Sequence, residues 1–209
     1  MILLKNYLKK NKLPENFPLD DKSAWLLYPN YRIIYNKLIL SDIQELINNP
    51  IPIIPIEFPI IIKPIINLDG MSKGFYKINT KEDYINLCKN NILAGSFYQK
   101  FLTGVNYNYD IIFKNGKIID YFCMISHPDK EGMFKYHELE LNNNLNPKFI
   151  FLLEDMLDNY TGFVNIEVIG DYIIEAHLRL NGDLFIYSLN DFCKLVKFID
   201  SSNYDKIIL

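Results

Sequence analysis

The sequence predicts an α+β fold in which antiparallel β-hairpins alternate with helices. Asn115-Gly116 lies between two runs of alternating apolar residues, which is a strong signal of a tight β-hairpin. Gly170-Asp171 joins two further runs of the same kind. Thr80 with Asp83 caps a segment whose apolar residues recur at helical spacing, so helices and hairpins belong to one chain.

The individual elements follow from local signals along the chain. Ser41 with Gln44 forms a capping box for an early helix. Prolines between residues 50 and 55 then force extended chain and mark a boundary. In order, we predict a helix over 41–48, strands over 58–66 and 75–78, a helix over 80–91, strands over 96–102, 107–114 and 117–125, a helix over 147–160, strands over 162–169 and 172–180, and a last helix over 189–200.

Composition and charge exclude several classes of protein. The chain has 209 residues, of which 49% are hydrophobic and 22% charged, as in an ordinary globular protein. A net charge of -3 offers no basic surface for the phosphates of a nucleic acid. The apolar run over 51–66 is broken by prolines and contains Glu57 and Lys63, so we expect no membrane span.

Cysteine usage predicts the compartment. Cys88, Cys123 and Cys193 lack the close spacing of zinc or redox motifs, and an odd number leaves one unpaired in any disulfide scheme. We therefore predict a reduced, intracellular, cytoplasmic protein, located in a host cytoplasm or a virion if its source is a virus. The abundance of Lys, Asn, Ile and Tyr is typical of an AT-rich genome, such as that of a large virus or a protist.

The hairpin over residues 162–180 contains the clearest candidate site. Side chains alternate between the two faces of a strand, so Glu167 can share one face with Glu175 and His177 on the neighbouring strand. Carboxylates among apolar residues are costly unless a cation compensates them, and Mg²⁺ prefers oxygen ligands of this type. The alternative is structural pairing, of Glu175 with Arg179 and of Glu167 with a lysine.

Lys63 is a second candidate, because it places a charge in the middle of an apolar strand. A buried ammonium group requires an anion, either a phosphate or a buried carboxylate. In the turn that follows, Gly70 and Gly74 flank Ser72 and Lys73, and the backbone N–H groups there could close over phosphates. The alternative is an ordinary turn.

A long polar segment over residues 126–145 is predicted to be an irregular excursion of the kind that covers a ligand. His127 and His137 within it could contact an acceptor substrate. The alternative is a solvated, charged lid, because lysines and glutamates surround both histidines.

The order of these pieces resembles the ATP-grasp superfamily over roughly residues 58–182. The strand with Lys63 and its glycine-containing turn look like the family's lysine strand and phosphate-covering loop. Residues 98–110, with the sequence YQKFLTGVNYNYD, look like the segment that holds adenine and ribose. Residues 165–168 and 174–179 look like the paired strands with the metal ligands.

The resemblance implies a role for each matched residue. Lys63 contacts the ATP phosphates and, with Arg179, neutralises charge during catalysis. Glu167, Glu175 and His177 are the implied ligands of magnesium. The implied nucleotide contacts are Lys37, Lys63, Gly70, Ser72, Lys73, Gly74, Gln99, Lys100, Phe101, Leu102 and Asn106.

The resemblance also implies an architecture of two α+β subdomains whose antiparallel sheets clamp the nucleotide. The expected boundaries are a short N-terminal segment at 1–50, a small subdomain at 51–103 and a large subdomain at 104–209. The implied activity is ligation of a carboxylate to an amine, with MgATP and an acylphosphate intermediate. Small carboxylates and amines are then the partners, and the oligomer to consider is a homodimer.

Four residues depart from the usual pattern of that family. Gln99 and Asn106 stand where many members have glutamate, and His177 stands where many have asparagine. Asn165 stands where ligases of D-alanine type often have arginine. The alternative to a ligase is therefore a shortened, non-catalytic ATP-binding or structural interaction module of the same fold.

Overall fold

A computed structural model describes residue 18 and residues 20–69, 74–90, 93–128, 134–140 and 144–181. Gly70, Ser72 and Lys73 of the predicted phosphate-covering turn lie outside these residues, as does the predicted helix over 189–200. The helices are α1 (Asp21–Leu27), a 3₁₀ helix (Pro29–Tyr35), α2 (Lys37–Ile43), α3 (Lys81–Asn90) and α4 (Pro147–Met156). The strands are β1 (Asn48–Pro50), β2 (Ile60–Pro64), β3 (Tyr76–Ile78), β4 (Ser96–Lys100), β5 (Asn106–Lys114), β6 (Lys117–Pro128), β7 (Phe134–Glu140), β8 (Gly162–Ile169) and β9 (Tyr172–His177).

The smaller sheet has four antiparallel strands in the order β1-β4-β2-β3. β2 is paired on both sides, so Lys63 lies on an interior strand. Helix α3 contributes Tyr84 to the core beside this sheet. The predicted cap of α3 is confirmed, because Thr80 Oγ1 accepts a hydrogen bond from the Asp83 N–H at 3.1 Å.

The larger sheet has five antiparallel strands in the order β7-β6-β5-β8-β9. Its two predicted hairpin turns are confirmed, with positive φ angles at Asn115, Gly116 and Gly170. A Cβ at Gly116 would lie 2.6 Å from the backbone nitrogen of Asn159, so close approach also requires glycine there. One sheet face packs on helix α4, and this packing forms the main hydrophobic core.

The N-terminal segment ties the two sheets together. Ala24, Ile34 and Leu40 from this segment are buried in the core of the larger sheet, while its strand β1 pairs with β4 of the smaller one. The Gln44 side chain donates to the Ile173 carbonyl and accepts from the Ile173 N–H, both at 2.8 Å. Contacts of this kind hold α2 against edge strand β9, which positions the site described below.

The helix predicted over residues 41–48 is wrong in position, because the structure has α2 over Lys37–Ile43. The side chain of Asn36 caps this helix by accepting from the Ile39 N–H at 3.0 Å. Ser41 lies inside the helix and donates to Gln99 Oε1 at 3.2 Å, so its hydroxyl serves a tertiary contact rather than a cap.

The excursion predicted over residues 126–145 is also wrong in part. Strand β6 continues to Pro128 and pairs with β7, so much of this segment extends the sheet as a hairpin. The pattern of charges led to the error, because β7 is an edge strand and its alternating glutamates indicated a solvated loop.

The helices of the described residues are short, and the longest, α3 and α4, have ten residues each. In the part of the chain that the structure describes, no helix combines the length and the apolar character that crossing a membrane requires.

Candidate functional site

Two glutamates and a histidine converge on one face of the β8–β9 hairpin. Glu167 lies directly opposite Glu175 in the strand register, and His177 follows two residues along β9. One potential donor atom from each of the three side chains lies within 4.8 Å of the other two. The structure thus brings together the three side chains that strand alternation predicts on one face.

Two lysines reach this hairpin from other elements. Lys63 Nζ, from β2 of the smaller sheet, donates to the Ile174 carbonyl oxygen at 2.9 Å. Lys37 Nζ, from the first turn of α2, forms an ion pair with Glu175 Oε1 at 2.6 Å. Both lysines are buried, at 7% and 5% exposure, so their charges are largely removed from water.

Burial and mutual contacts shift the ionisation of these groups. Burial and then the neighbouring Lys37 lower the pKa of Lys63 to about 7. Burial and then Glu175 raise the pKa of Glu167. Burial opposes ionisation of Glu175 as well, but Lys37 and His177 hold the pKa of that carboxyl below its usual range.

The donor set of this cluster fits a divalent cation. Two carboxylates and one imidazole lie close enough to share an ion. In the described residues Glu167 makes no hydrogen bond or ion pair, so its charge is uncompensated by a direct contact. A cation between the two carboxylates would also remove the repulsion that raises the pKa of Glu167.

The structural pairing considered from the sequence, Glu175 with Arg179 and Glu167 with a lysine, does not occur in the described residues. Lys37 takes the place of Arg179 beside Glu175. Arg179 instead donates to Asp21 Oδ2 at 2.8 Å and to the Leu180 carbonyl oxygen at 2.9 Å.

Asp21, the first residue of α1, is a site residue that the sequence did not indicate. Its Oδ1 lies 3.0 Å from His177 Nδ1, and its Oδ2 accepts from Arg179. Burial opposes ionisation of Asp21, but His177 and Arg179 hold its pKa well below the usual range. No sequence signal could have revealed this contact, because it joins residues 156 positions apart.

The segment predicted to contact adenine follows β4. The N–H groups of Lys100 and Phe101 donate to the carbonyl oxygens of Ile47 and Pro59, at 2.8 and 3.1 Å. An adenine contact here would therefore use the carbonyl groups of this segment or the backbone of Leu102.

The remaining predicted nucleotide contacts lie on or next to strands of the two sheets. Gln99 is buried and accepts from Ser41, so its side chain supports the smaller sheet from within. Asn106 begins β5 and is partly buried. Gly74 has a φ of +78° and lies close to Pro64, next to Lys63 on β2.

Each of the two histidines of the β6–β7 hairpin lies next to a polar side chain of the same hairpin. His137 is buried and shares a hydrogen bond of 2.8 Å with Ser126 across the hairpin. His127 Nε2 lies 3.6 Å from Glu138 Oε2 on the neighbouring strand. The predicted solvated lid is therefore wrong for His137.

A buried polar network continues from the site along the same sheet face. Asp110 on β5 is fully buried, and its Oδ1 accepts from Asn165 Nδ2 at 2.9 Å and from the Asn181 N–H at 2.8 Å. Asn165 also donates to Asn108 Oδ1. Asp110 Oδ2 is buried without a hydrogen-bond partner in the described residues. Burial therefore raises the pKa of Asp110 to about 7.

We expect Asp110→Asn to stabilise the protein in a pH-dependent way. The folded protein keeps Asp110 protonated up to about pH 7, whereas the unfolded chain releases that proton near pH 4. Wild-type stability is thus lost as the pH rises through this window, while the asparagine variant keeps the accepting oxygen without the charge. Urea unfolding should show no gain at pH 4 and at least about 1 kcal/mol above pH 7. An equal effect at both pH values would contradict the assignment.

A cavity of about 370 Å³ lies on the opposite face of the larger sheet. Tyr107, Tyr109 and Val168 line it together with the start of α4. Because adjacent strand residues point to opposite faces, these side chains do not belong to the face with Glu167. We therefore place the candidate chemistry at the charged cluster.

Comparison with solved structures defines the fold. A carboxyaminoimidazole ribonucleotide synthase from Aspergillus clavatus, complexed with ATP, is 10% identical with a TM-score of 0.56, over 72% of this chain and 46% of that one. A biotin carboxylase from Campylobacter jejuni is 12% identical with a TM-score of 0.54, over 83% and 48%. An L-amino acid ligase from Bacillus licheniformis is 12% identical with a TM-score of 0.53, over 73% and 42%. No protein-family model and no curated protein matches the sequence.

These three proteins have the ATP-grasp fold, and this chain has the same fold. The α+β architecture predicted from the sequence is therefore confirmed. The chain spans less than half the length of each of the three proteins, so the likeness extends to the shared fold and no further.

Proposed function

We propose that this chain binds MgATP between its two sheets and uses it to join a carboxylate to an amine. The supporting observation is the meeting of Lys37 and Lys63 with Glu167 and Glu175 where the sheets face each other. Two buried cations can receive phosphate oxygens, and two carboxylates can receive the accompanying metal. The three proteins with the same fold include one solved with ATP, one solved as a β,γ-ATP complex and one named an amino acid ligase.

Each group has a defined part in this proposal. Lys63 and Lys37 neutralise the phosphate oxygens, and their burial strengthens that attraction. Glu167, Glu175 and His177 hold the metal ion, which supplies electrostatic stabilisation to the transferred phosphoryl group. Arg179 is a positioning residue in this scheme, because its guanidinium is engaged by Asp21.

The proposed reaction has two steps. A carboxylate oxygen of the substrate attacks the γ-phosphorus of ATP, the bond to the β,γ-bridging oxygen breaks, and ADP leaves. An amine then attacks the carbonyl carbon of the acylphosphate, loses a proton and displaces inorganic phosphate. Neither step requires a nucleophile from the protein, so the chemistry is positioning and charge neutralisation.

A non-catalytic ATP-binding or interaction module is the second candidate. Lys37 already pairs with Glu175, and Lys63 already donates to the Ile174 carbonyl, so the chain itself satisfies these two lysines in part.

Thermal unfolding with MgATP tests nucleotide binding. The wild-type midpoint should rise by several degrees at a ligand concentration far above the dissociation constant, because only the folded state binds. Glu175→Gln should lose this rise, since the amide keeps the shape of the metal ligand without its charge. His127→Asn is the control, because it alters a group on the β6–β7 hairpin, which β5 separates from the β8–β9 hairpin. A wild-type protein that shows no shift with ATP in the presence of either Mg²⁺ or Mn²⁺ would refute nucleotide binding.

ADP release tests ligation separately. We expect ADP to form when MgATP is supplied together with the right carboxylate and amine, in pools of amino acids, peptides and small carboxylic acids. Nucleotide binding without ADP release from any pool would favour the non-catalytic module.

A further inference from the structure

We propose that the centre formed by Glu167, Glu175 and His177 selects a divalent ion of the manganese class over magnesium, with Asp21 as the residue that positions His177. This inference rests on the proposed function, because it concerns the metal that accompanies the nucleotide.

Asp21 orients the imidazole ring of His177. Its Nδ1 lies 3.0 Å from Asp21 Oδ1, and a carboxylate oxygen at that distance acts as the acceptor. Nδ1 therefore bears the hydrogen, and the lone pair of a neutral ring lies on Nε2. Nε2 faces the carboxylates, at 3.7 Å from Glu175 Oε1. A carboxylate behind a histidine is the usual second-layer arrangement of a metal-binding imidazole.

Further contacts hold both Asp21 and the His177 ring in place. Asp21 is itself fixed, because its other oxygen accepts from Arg179 at 2.8 Å. The Asp20 side chain caps the start of α1 by accepting from the Ser23 N–H at 2.8 Å, so the backbone at Asp21 is also anchored. The Tyr35 ring packs edge-on against the imidazole, with centroids 6.1 Å apart. The direction of the Nε2 lone pair is thus fixed by two contacts on the ring, one from Asp21 and one from Tyr35.

A nitrogen ligand such as His177 suits some divalent ions better than others. Mg²⁺ prefers oxygen ligands and gives up its waters reluctantly, so an imidazole nitrogen suits it poorly. Manganese, iron and cobalt ions accept mixed carboxylate and imidazole ligands. An asparagine would offer an amide oxygen here, whereas His177 offers a nitrogen. This one side chain therefore shifts the preference of the centre from Mg²⁺ towards Mn²⁺.

The test compares metal preference among matched variants. Isothermal titration in the presence of ADP gives the affinities for Mn²⁺ and Mg²⁺, using manganese and magnesium chloride as the probes. The Mn²⁺/Mg²⁺ affinity ratio of each variant is compared with that of wild type, because Mn²⁺ binds many oxygen sites more tightly than Mg²⁺ does. We expect His177→Asn to reduce the Mn²⁺/Mg²⁺ ratio at least about tenfold, and Asp21→Asn to reduce Mn²⁺ affinity about tenfold or more. His127→Asn, which removes a histidine elsewhere, should leave the ratio unchanged.

A spectroscopic signature distinguishes a ligand from a merely structural histidine. The electron spin-echo modulation of bound Mn²⁺ should show coupling to a directly bonded ¹⁴N in wild-type protein and in His127→Asn. That coupling should disappear in His177→Asn. Asp21→Asn removes the carboxylate partner of Arg179. If that variant fails to fold for this reason, the wild-type measurement still tests the proposal.

The possible outcomes separate this inference from the proposed function. The metal inference would be overturned if His177→Asn left the Mn²⁺/Mg²⁺ affinity ratio unchanged and wild-type protein showed no ¹⁴N coupling. Nucleotide binding would stand if the same proteins still bound nucleotide tightly. An unchanged ratio without ¹⁴N coupling would mean that His177 is a structural bridge between Asp21 and Glu175. Absence of nucleotide binding with either metal would instead defeat the proposed function, and the inference with it.

Discussion

Lys63→Met is expected to abolish nucleotide binding while leaving the nucleotide-free protein at least as stable as wild type near pH 7. Removing one partner of a buried charge pair costs about 2–5 kcal/mol in binding, which is roughly a 30- to 4,000-fold loss of affinity for ATP. Without nucleotide the Lys63 ammonium group destabilises the folded protein, because Lys63 is 7% exposed and donates only to the Ile174 carbonyl oxygen among the described residues. Methionine has a similar length without the charge.

The stability effect of Lys63→Met has a defined pH dependence. Burial and Lys37 lower the pKa of Lys63 to about 7, whereas the unfolded chain keeps an ordinary lysine. Between these values the unfolded state binds more protons, so wild-type stability rises with pH. The variant lacks this rise, which is worth about 2 kcal/mol between pH 7 and pH 9, so its gain of about 1 kcal/mol near pH 7 should become a loss by pH 9.

Urea unfolding at both pH values and ATP titration measure the two effects. Lys117→Met is the control, because Lys117 pairs with Glu154 at the protein surface and should change neither property. A loss of stability at pH 7 together with unchanged ATP affinity would show that Lys63 is purely structural.

Elements governed by local chemistry could be predicted from the sequence. Asn115-Gly116 and Gly170-Asp171 each define a hairpin, because few residues other than Asn and Gly adopt the positive φ angles that tight turns require. Once the second hairpin is known, a period of two places Glu167 and Glu175 on one face. The shared face of Glu167 and Glu175 could therefore be predicted from the Gly170-Asp171 turn and from the alternation of side chains along the two strands.

Contacts between distant segments could not be predicted in this way. Asp21 and Asp20 are neighbours of the same type, yet one holds His177 and the other caps a helix. Ser41 and Gln44 matched a capping box, but their side chains instead bind Gln99 and the backbone of Ile173. Tertiary hydrogen bonds decided both cases, and the local pattern contains no information about those partners.

Lys37→Met is expected to destabilise the protein without metal and to be rescued by a divalent cation. Lys37 is the direct ion-pair partner of Glu175, at 2.6 Å, and both groups are largely buried. Its loss leaves Glu175 beside Glu167, so two carboxylates repel each other in a site shielded from water. Removing one partner of such a pair costs about 3 kcal/mol or more.

The rescue follows from charge balance. A divalent cation between Glu167 and Glu175 replaces the charge that Lys37 supplied, so millimolar Mn²⁺ or Mg²⁺ should restore much of the lost stability in urea unfolding. Glu175→Gln in the same chain should also restore it, because the amide removes the repulsion. If Lys37→Met is equally destabilised with and without metal, the two carboxylates hold no cation, and the pair is a structural bridge between α2 and β9. Rescue by both routes would instead assign Lys37 as the internal cation that occupies the carboxylates until metal and nucleotide arrive.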